Sequence, residues 1–251
     1  MANSRSGESI IDRVVRILET FSADRTVQTA SEIGERCGLP SSTAHRLVHE
    51  LVEAGLLERD DEHRVRLGMR LWELALRGST ALRLRQASLP HMESVQQVVR
   101  EHTQLAVLED GEALFLERLS HPSAGANITR VAGRLPLHAS SSGLVLLAFA
   151  PPAVREAVLA EPLRSVGPGT ITDATTLRRV LAGIRRTGFV VAPGSIEAVS
   201  TGVAVPVRES GEVIAALSAV LPREAPTEAA HAALQAAAHA IEAELRELRS
   251  Q

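Results

Sequence analysis

The stretch Thr29–Arg46, TASEIGERCGLPSSTAHR, constrains this chain more than any other. Thr29 and Glu32 have the T-x-x-E spacing of a capping box, which starts a helix at Ala30. Gly38 tolerates the positive φ that a helix C-terminus needs. Pro40 presets φ for a second helix. In that helix Ala44, Leu47, Val48 and Leu51 form an apolar stripe at spacings of three and four. Ser42, Thr43, His45, Arg46 and His49 are left facing outward or sideways. A short amphipathic helix steadied by a companion, with Ser, Thr and Arg near its N-terminus, suits a DNA major groove.

The flanking segments complete a module. Ser9–Phe21 reads as a first helix, with Ser9 as cap, Asp12 in its first turn, and Ile11, Val14, Leu18 and Phe21 on its apolar face. Downstream, Gly55–Arg59 and Arg64–Gly68 alternate around the polar turn Asp60–His63, which is a hairpin. Three helices and a hairpin make a winged helix-turn-helix. Thr43 and Arg46 are the candidates for base edges, with His45 and His49 exposed beside them. Ser41 and Ser42 at the helix start are placed for phosphate. Arg64 and Arg66, two apart on one strand face, are placed for the backbone.

Charge does not announce this role. The net charge is −3, and residues 1–82 hold 11 Arg against 13 Asp plus Glu. Binding then depends on where the positive groups sit. Aromatics are 2% with no Tyr, so a stacking platform for single strands is not expected. His45, His49 and Glu50 invite a metal reading, but the Glu is misplaced for H-E-x-x-H and no third ligand is evident. No Walker motif, G-x-G-x-x-G or Cys cluster appears, so no cofactor or metal is expected. The single cysteine, Cys37, rules out an internal disulfide and reads as a small buried helix residue. No apolar run reaches the ~20 residues of a membrane span, and the first residues lack the apolar core of a leader. The expectation is a cytoplasmic protein with no membrane contact.

From Gln104 the pattern changes. LAVLED and ALFLERL flank a turn at Asp110-Gly111. Further strands are expected at Ala126–Val131, Gly188–Ala192, Gly202–Val207 and Val213–Val220. Helices are expected from Ser140, Pro152 and Thr176, and over Thr227–Leu248. Before them, Met69–Arg77 reads as helical with Trp72 and Leu76 packed on a neighbour, and a helix from Pro90 to Glu101 follows. The fold class is α+β, with domains at 1–68 (winged helix-turn-helix), 69–82 (linker helix) and 83–251.

A second informative stretch is Gly133–Ala148, GRLPLHASSSGLVLLA. Ser140, Ser141, Ser142 and Gly143 lead into an apolar helix, whose free N–H groups and positive dipole end suit an anion. Capping by Ser140 is the plainer account, and both can hold. A serine nucleophile would need a base and usually a G-x-S-x-G elbow, which is absent. No catalytic residue is expected. A serine hydrolase of small esters or amides stands as the alternative, and an architectural DNA binder with a structural second half as a third reading.

With both stretches in view, the chain resembles the IclR family of bacterial transcription regulators over nearly its whole length. The matching residues are GLPSSTAHRLVHELVEAGLLERD and RVRLGMRLWELA, then AVLEDGEALFLERL, GRLPLHASSSG, IRRTGFVV and VAVPVRESGEVIAALS. The resemblance implies an N-terminal winged helix, a linker helix and a GAF-like effector domain sensing a small organic acid. It also implies homodimers or dimers of dimers on pseudo-palindromic double-stranded operator DNA, as repressor or activator. Carried over, the ligand loop falls on Ser140, Ser141, Ser142 and Gly143, with the N–H groups of Ser141 and Ser142 on the effector carboxylate. Two further pocket positions fall on Gly202, where relatives often have Cys, and Ser218. Ala192 stands where some relatives are acidic. These departures leave space, favouring a bulkier or more apolar acid than glyoxylate or pyruvate, an aromatic one included. Asn127 and Arg130 are further contact candidates.

Overall fold

A computed structural model describes residues 8–22, 24–125 and 127–249. Contacts divide the chain into two compact units, Met1–Leu82 and Arg83–Gln251.

The first unit holds α1 (Ile10–Glu19), α2 (Ala30–Cys37), α3 (Ser41–Glu53), the hairpin β1 (Leu57–Arg59) and β2 (Val65–Leu67), and α4 (Met69–Leu76). Two capping boxes start the helices: Ser9 with Asp12 on α1, and Thr29 with Glu32 on α2. Gly38 closes α2 at φ 60°. Pro40 sits just outside α3 as its N-cap. Ile17, Ile33, Cys37, Leu47, Val48, Leu51, Leu57 and Val65 form the core. The expected packing of α4 is not found among the described residues. No α4 residue is buried, and Met69 and Trp72 are each 61% exposed.

The second unit is built on a six-stranded antiparallel sheet in the order β5-β4-β3-β8-β7-β6. Its strands are β3 (His102–Glu109), β4 (Glu112–Ser120), β5 (Arg134–Pro136), β6 (Val190–Pro193), β7 (Ser200–Glu209) and β8 (Glu212–Pro222). Both long hairpins turn on consecutive positive φ values, Asp110 and Gly111 in one, Ser210 and Gly211 in the other. Such turns match the strand twist. Helices α5 (Thr80–Val99) and α9 (Glu228–Leu248) share a core with one face, through Met92, Leu105, Leu217, Leu234 and Ile241. Helices α6 (Ser141–Phe149), α7 (Pro152–Ala160) and α8 (Ala174–Thr187) cover the other, through Phe115, Leu144, Leu147, Leu177 and Ala204.

Two expectations fail here. α5 begins ten residues before Pro90 and runs through it. Leu84, Ala87, Met92 and Val95 keep one helical phase across the proline, so their shared burial outweighs its ~3 kcal/mol cost. Residues 127–131 are no strand, and Ala126 lies outside the described residues. Asn127 and Thr129 instead form a side-chain turn, with Asn127 Oδ1 accepting from the Thr129 N–H (2.9 Å) and hydroxyl (2.7 Å). Local Asx bonding of this kind competes with a ladder.

Candidate functional site

In the first unit α3 presents its polar side outward. Its apolar stripe is buried against α2, where Gly34 permits the approach: a Cβ there would lie 2.9 Å from that of Ala44. Ser41, Ser42, His45, Arg46 and His49 are exposed and Thr43 is half-buried. His45 Nε2 lies 3.3 Å from Ser31 Oγ. Among the described residues no cluster could hold a metal.

The candidate arginines are each ion-paired. Arg46 meets Glu50 at 2.6 Å, one turn along α3. Arg64 meets Asp60 at 2.9 Å and Glu62 at 3.0 Å, and Arg66 meets Glu58 at 3.1 Å. The Met69 N–H and the Arg66 guanidinium bond Glu58 and hold its carboxyl below the usual range. These pairs are exposed and individually weak, so a phosphate can displace the carboxylates. They neutralise the module until it does. Beyond the acidic count, nothing in the residue order announces this screening.

In the second unit a cavity of about 30 Å³ opens at the start of α6. Ser140 and Ser141 line it, with Gln104 and Phe115 from β3 and β4, Ala192 and Gly202 from β6 and β7, and Val220 from β8. The segment before β7 adds Ser195, Ile196 and Glu197; Asn127, Thr129, Leu135 and Ser200 complete the wall.

The α6 terminus explains its chemistry. Ser140 Oγ accepts from the Gly143 N–H at 3.0 Å, and its carbonyl accepts from the Leu144 N–H at 2.8 Å. Among the described residues the N–H groups of Ser141 and Ser142 reach no protein acceptor, although both residues are buried. Two donors therefore stay open at a positive helix end. Ser142 Oγ donates to Ser218 Oγ (2.8 Å), and Ser218 donates to Gln104 Oε1 (3.5 Å). Gln104 Nε2 donates to Thr129 Oγ1. The Asn127 amide, its oxygen committed to Thr129, leaves Nδ2 buried without a partner among the described residues.

Of the residues read from sequence for this site, Ser140, Ser141, Gly202 and Asn127 line the cavity. Ser142, Gly143 and Ser218 are not in its lining, and the Ser142 and Ser218 hydroxyls bond each other. Arg130 is exposed and outside the lining. The space expected at Gly202 is filled by a hydroxyl, since a Cβ there would lie 2.5 Å from Ser141 Oγ. Sequence reading missed Gln104, Thr129 and Glu197. A glutamine immediately before the apolar run LAVLED was the one available sign for the first.

None of the three serine hydroxyls is bonded to a histidine or carboxylate among the described residues. His138 Nε2 lies 2.9 Å from the Arg164 carbonyl, away from them. No helix described is long and apolar enough to cross a membrane.

Comparison with known proteins agrees with both halves. Residues 10–61 match the IclR helix-turn-helix domain, and residues 79–244 match the C-terminal domain of bacterial IclR transcriptional regulators. A solved IclR homologue from Microbacterium hydrocarbonoxydans, in complex with 4-hydroxybenzoate, is 66% identical with a TM-score of 0.92, covering 95% of this chain and all of that one. The regulator KipR of Bacillus subtilis is 29% identical over 75% of this chain and 76% of its own length. The regulator XynR of Escherichia coli is 29% identical over 83% and 84%. The hydrolase alternative finds no support among these relatives.

Proposed function

The chain belongs to the IclR family of bacterial transcriptional regulators, and from that premise we propose that it is a DNA-binding switch set by an aromatic carboxylic acid. The observation that carries the reading is the pair of open N–H donors at Ser141 and Ser142 beside the cavity. The acid's carboxylate takes these donors. Phe115, Leu135, Ala192 and Val220 flank the ring, and Asn127 Nδ2 supplies one further donor to a ring substituent. The relative that carries 4-hydroxybenzoate supports this ligand class.

The cavity is smaller than the ~150 Å³ that holds benzene. Binding therefore requires the segment carrying Ser195, Ile196 and Glu197 to move outward. This segment starts at Gly194 (φ 67°) and includes Val199, 75% exposed.

In the first unit, Ser41, Ser42, Thr43, His45, Arg46 and His49 meet the major groove, and Arg64 and Arg66 the backbone. The domain assignment follows as 1–68 for DNA, 69–82 for linkage and 83–251 for the effector. The working unit is a two-fold dimer or a dimer of dimers. It covers the exposed apolar side of α4 (Met69, Trp72, Leu76) and that of α1 (Ile10, Ile11, Val15), faces a lone copy leaves in water.

Calorimetric titration of the full chain with 4-hydroxybenzoate, benzoate and acetate tests the sensing half. Saturable binding of the aromatic acids, lost in Ser141→Pro, is expected. Absence of heat with every acid would refute it.

A further inference from the structure

Two charged residues stand side by side on β4, Glu117 and Arg118, and their side chains leave opposite faces of the sheet. Arg118 lies opposite Gln104, on the cavity side. Its guanidinium donates to the main-chain carbonyls of Thr129 and Asn127, both in the cavity wall. Glu117 lies opposite Leu105, on the side of the core shared with α5 and α9. Its carboxylate pairs with Arg85 of α5 at 2.5 Å and accepts the Arg118 N–H at 2.8 Å.

The Glu117 side chain is only 8% exposed. Arg85 is 40% exposed, so water screens the pair and it is a poor source of stability, and an apolar residue in place of Glu117 would do as well. Leu105 and Leu119 are already there to receive one. What the pair supplies is a discrete arrangement, made or broken, where an apolar contact would only slide.

We propose that Glu117 and Arg118 form a through-sheet relay that passes the state of the effector cavity to α5, the helix by which the chain enters this unit from the DNA-binding one. The proposal rests on the acid-sensing reading above. The acid's bond to Asn127 shifts the 127–133 segment, the segment draws on Arg118, and the Arg118 main chain shifts the carboxylate that holds Arg85. Glu117 and Arg118 are positioning residues; neither needs to touch the acid. A second pair on the same helix, Arg83 with Glu209 of β7 (3.2 Å), ties α5 to a strand that does not pair with β4 and serves as control.

The test has two arms on the full chain. Without ligand, Arg85→Met and Glu117→Gln should raise hydrogen exchange at the Thr129, Ala132 and Gly133 amides about tenfold, although the substitutions lie across the sheet. Arg83→Met should not. Wild-type exchange in the first two variants overturns the relay, as does an equal rise in Arg83→Met, which marks general loosening of α5. In the second arm the duplex is one selected by the wild-type protein from a random pool. Glu117→Gln should bind 4-hydroxybenzoate within about threefold of wild type. The acid-induced change in duplex affinity, typically about 5–150-fold for such coupling, should fall to within about twofold of none. Coupling retained at the wild-type value overturns the proposal. A wild type that binds no acid refutes the sensing reading instead, and the exchange arm then decides the relay.

Discussion

Gly202 of β7 and Ser141 at the start of α6 share one place in the cavity wall. A Cβ on Gly202 would stand 2.5 Å from the Ser141 hydroxyl and 3.0 Å from its Cβ. The absent side chain on one element is what lets the hydroxyl of the other lie against the sheet.

Gly202→Ala should therefore displace the Ser141 side chain with little cost to the fold, because a serine hydroxyl can rotate. We expect 4-hydroxybenzoate affinity to fall about tenfold, the worth of one hydrogen bond. The melting temperature should move by only about 3 °C. Calorimetry and thermal unfolding measure the two; unchanged affinity would detach Gly202 from the site.

Ser142 and Ser218 are buried and bonded to each other at 2.8 Å. Ser218→Ala strands the Ser142 hydroxyl and should destabilise the protein by about 1–3 kcal/mol. The double change to alanine should cost less than the sum of the single ones, because neither hydroxyl is then left alone. Denaturant titrations of the three variants give the cycle, and strict additivity would contradict it.

On α3, Arg46 pairs with Glu50 at 2.6 Å, and in the proposed interface that carboxylate competes with DNA for the guanidinium. Arg46→Ala should weaken binding to the selected duplex, by about 1–3 kcal/mol if the guanidinium reads a guanine. Glu50→Gln should strengthen it by freeing the arginine. If Arg46 meets phosphate instead, its loss lowers the slope of log affinity against log salt by about one. Gel-shift titrations at several salt concentrations separate these outcomes, and an Arg46→Ala protein with wild-type affinity would remove the residue from the interface.

Glu32 accepts the Thr29 main-chain N–H (2.7 Å) and hydroxyl (2.9 Å), which hold its carboxyl below the ordinary value; Asp12 is held down likewise by the Ser9 hydroxyl and N–H. A depressed folded-state pKa contributes stability above the unfolded value and loses it as pH falls through the folded one. Stability should thus decline below about pH 4. Glu32→Gln should flatten part of that limb while leaving the neutral-pH slope alone. Chemical denaturation from pH 7 to 3 reads the difference, and identical profiles would contradict the assignment.

The helix-turn-helix was legible because its determinants are local. A capping box, a C-terminal glycine and a stripe repeating every three to four residues each act within one or two turns, and α2 and α3 form where they say. The two Asp-Gly and Ser-Gly hairpins were legible for the same reason. Pro90 misled because its cost is local while the burial that overrides it is not. Residues 127–131 misled because their backbone groups are taken by side chains, the Arg118 guanidinium among them.

The order of residues by itself thus determined the helix-turn-helix and its hairpin, where α6 begins, and that a winged module precedes an α+β one. Only the folded sheet decided that Gln104 and Thr129 join the serines at one cavity, that Gly202 yields its space to Ser141, and that Glu117 and Arg118 face opposite ways toward α5 and the cavity wall. Spacing along the chain fixes short-range geometry. Partners a hundred residues apart, such as Ser218 and Gln104, are set by strand register, which depends on the burial of both sheet faces at once.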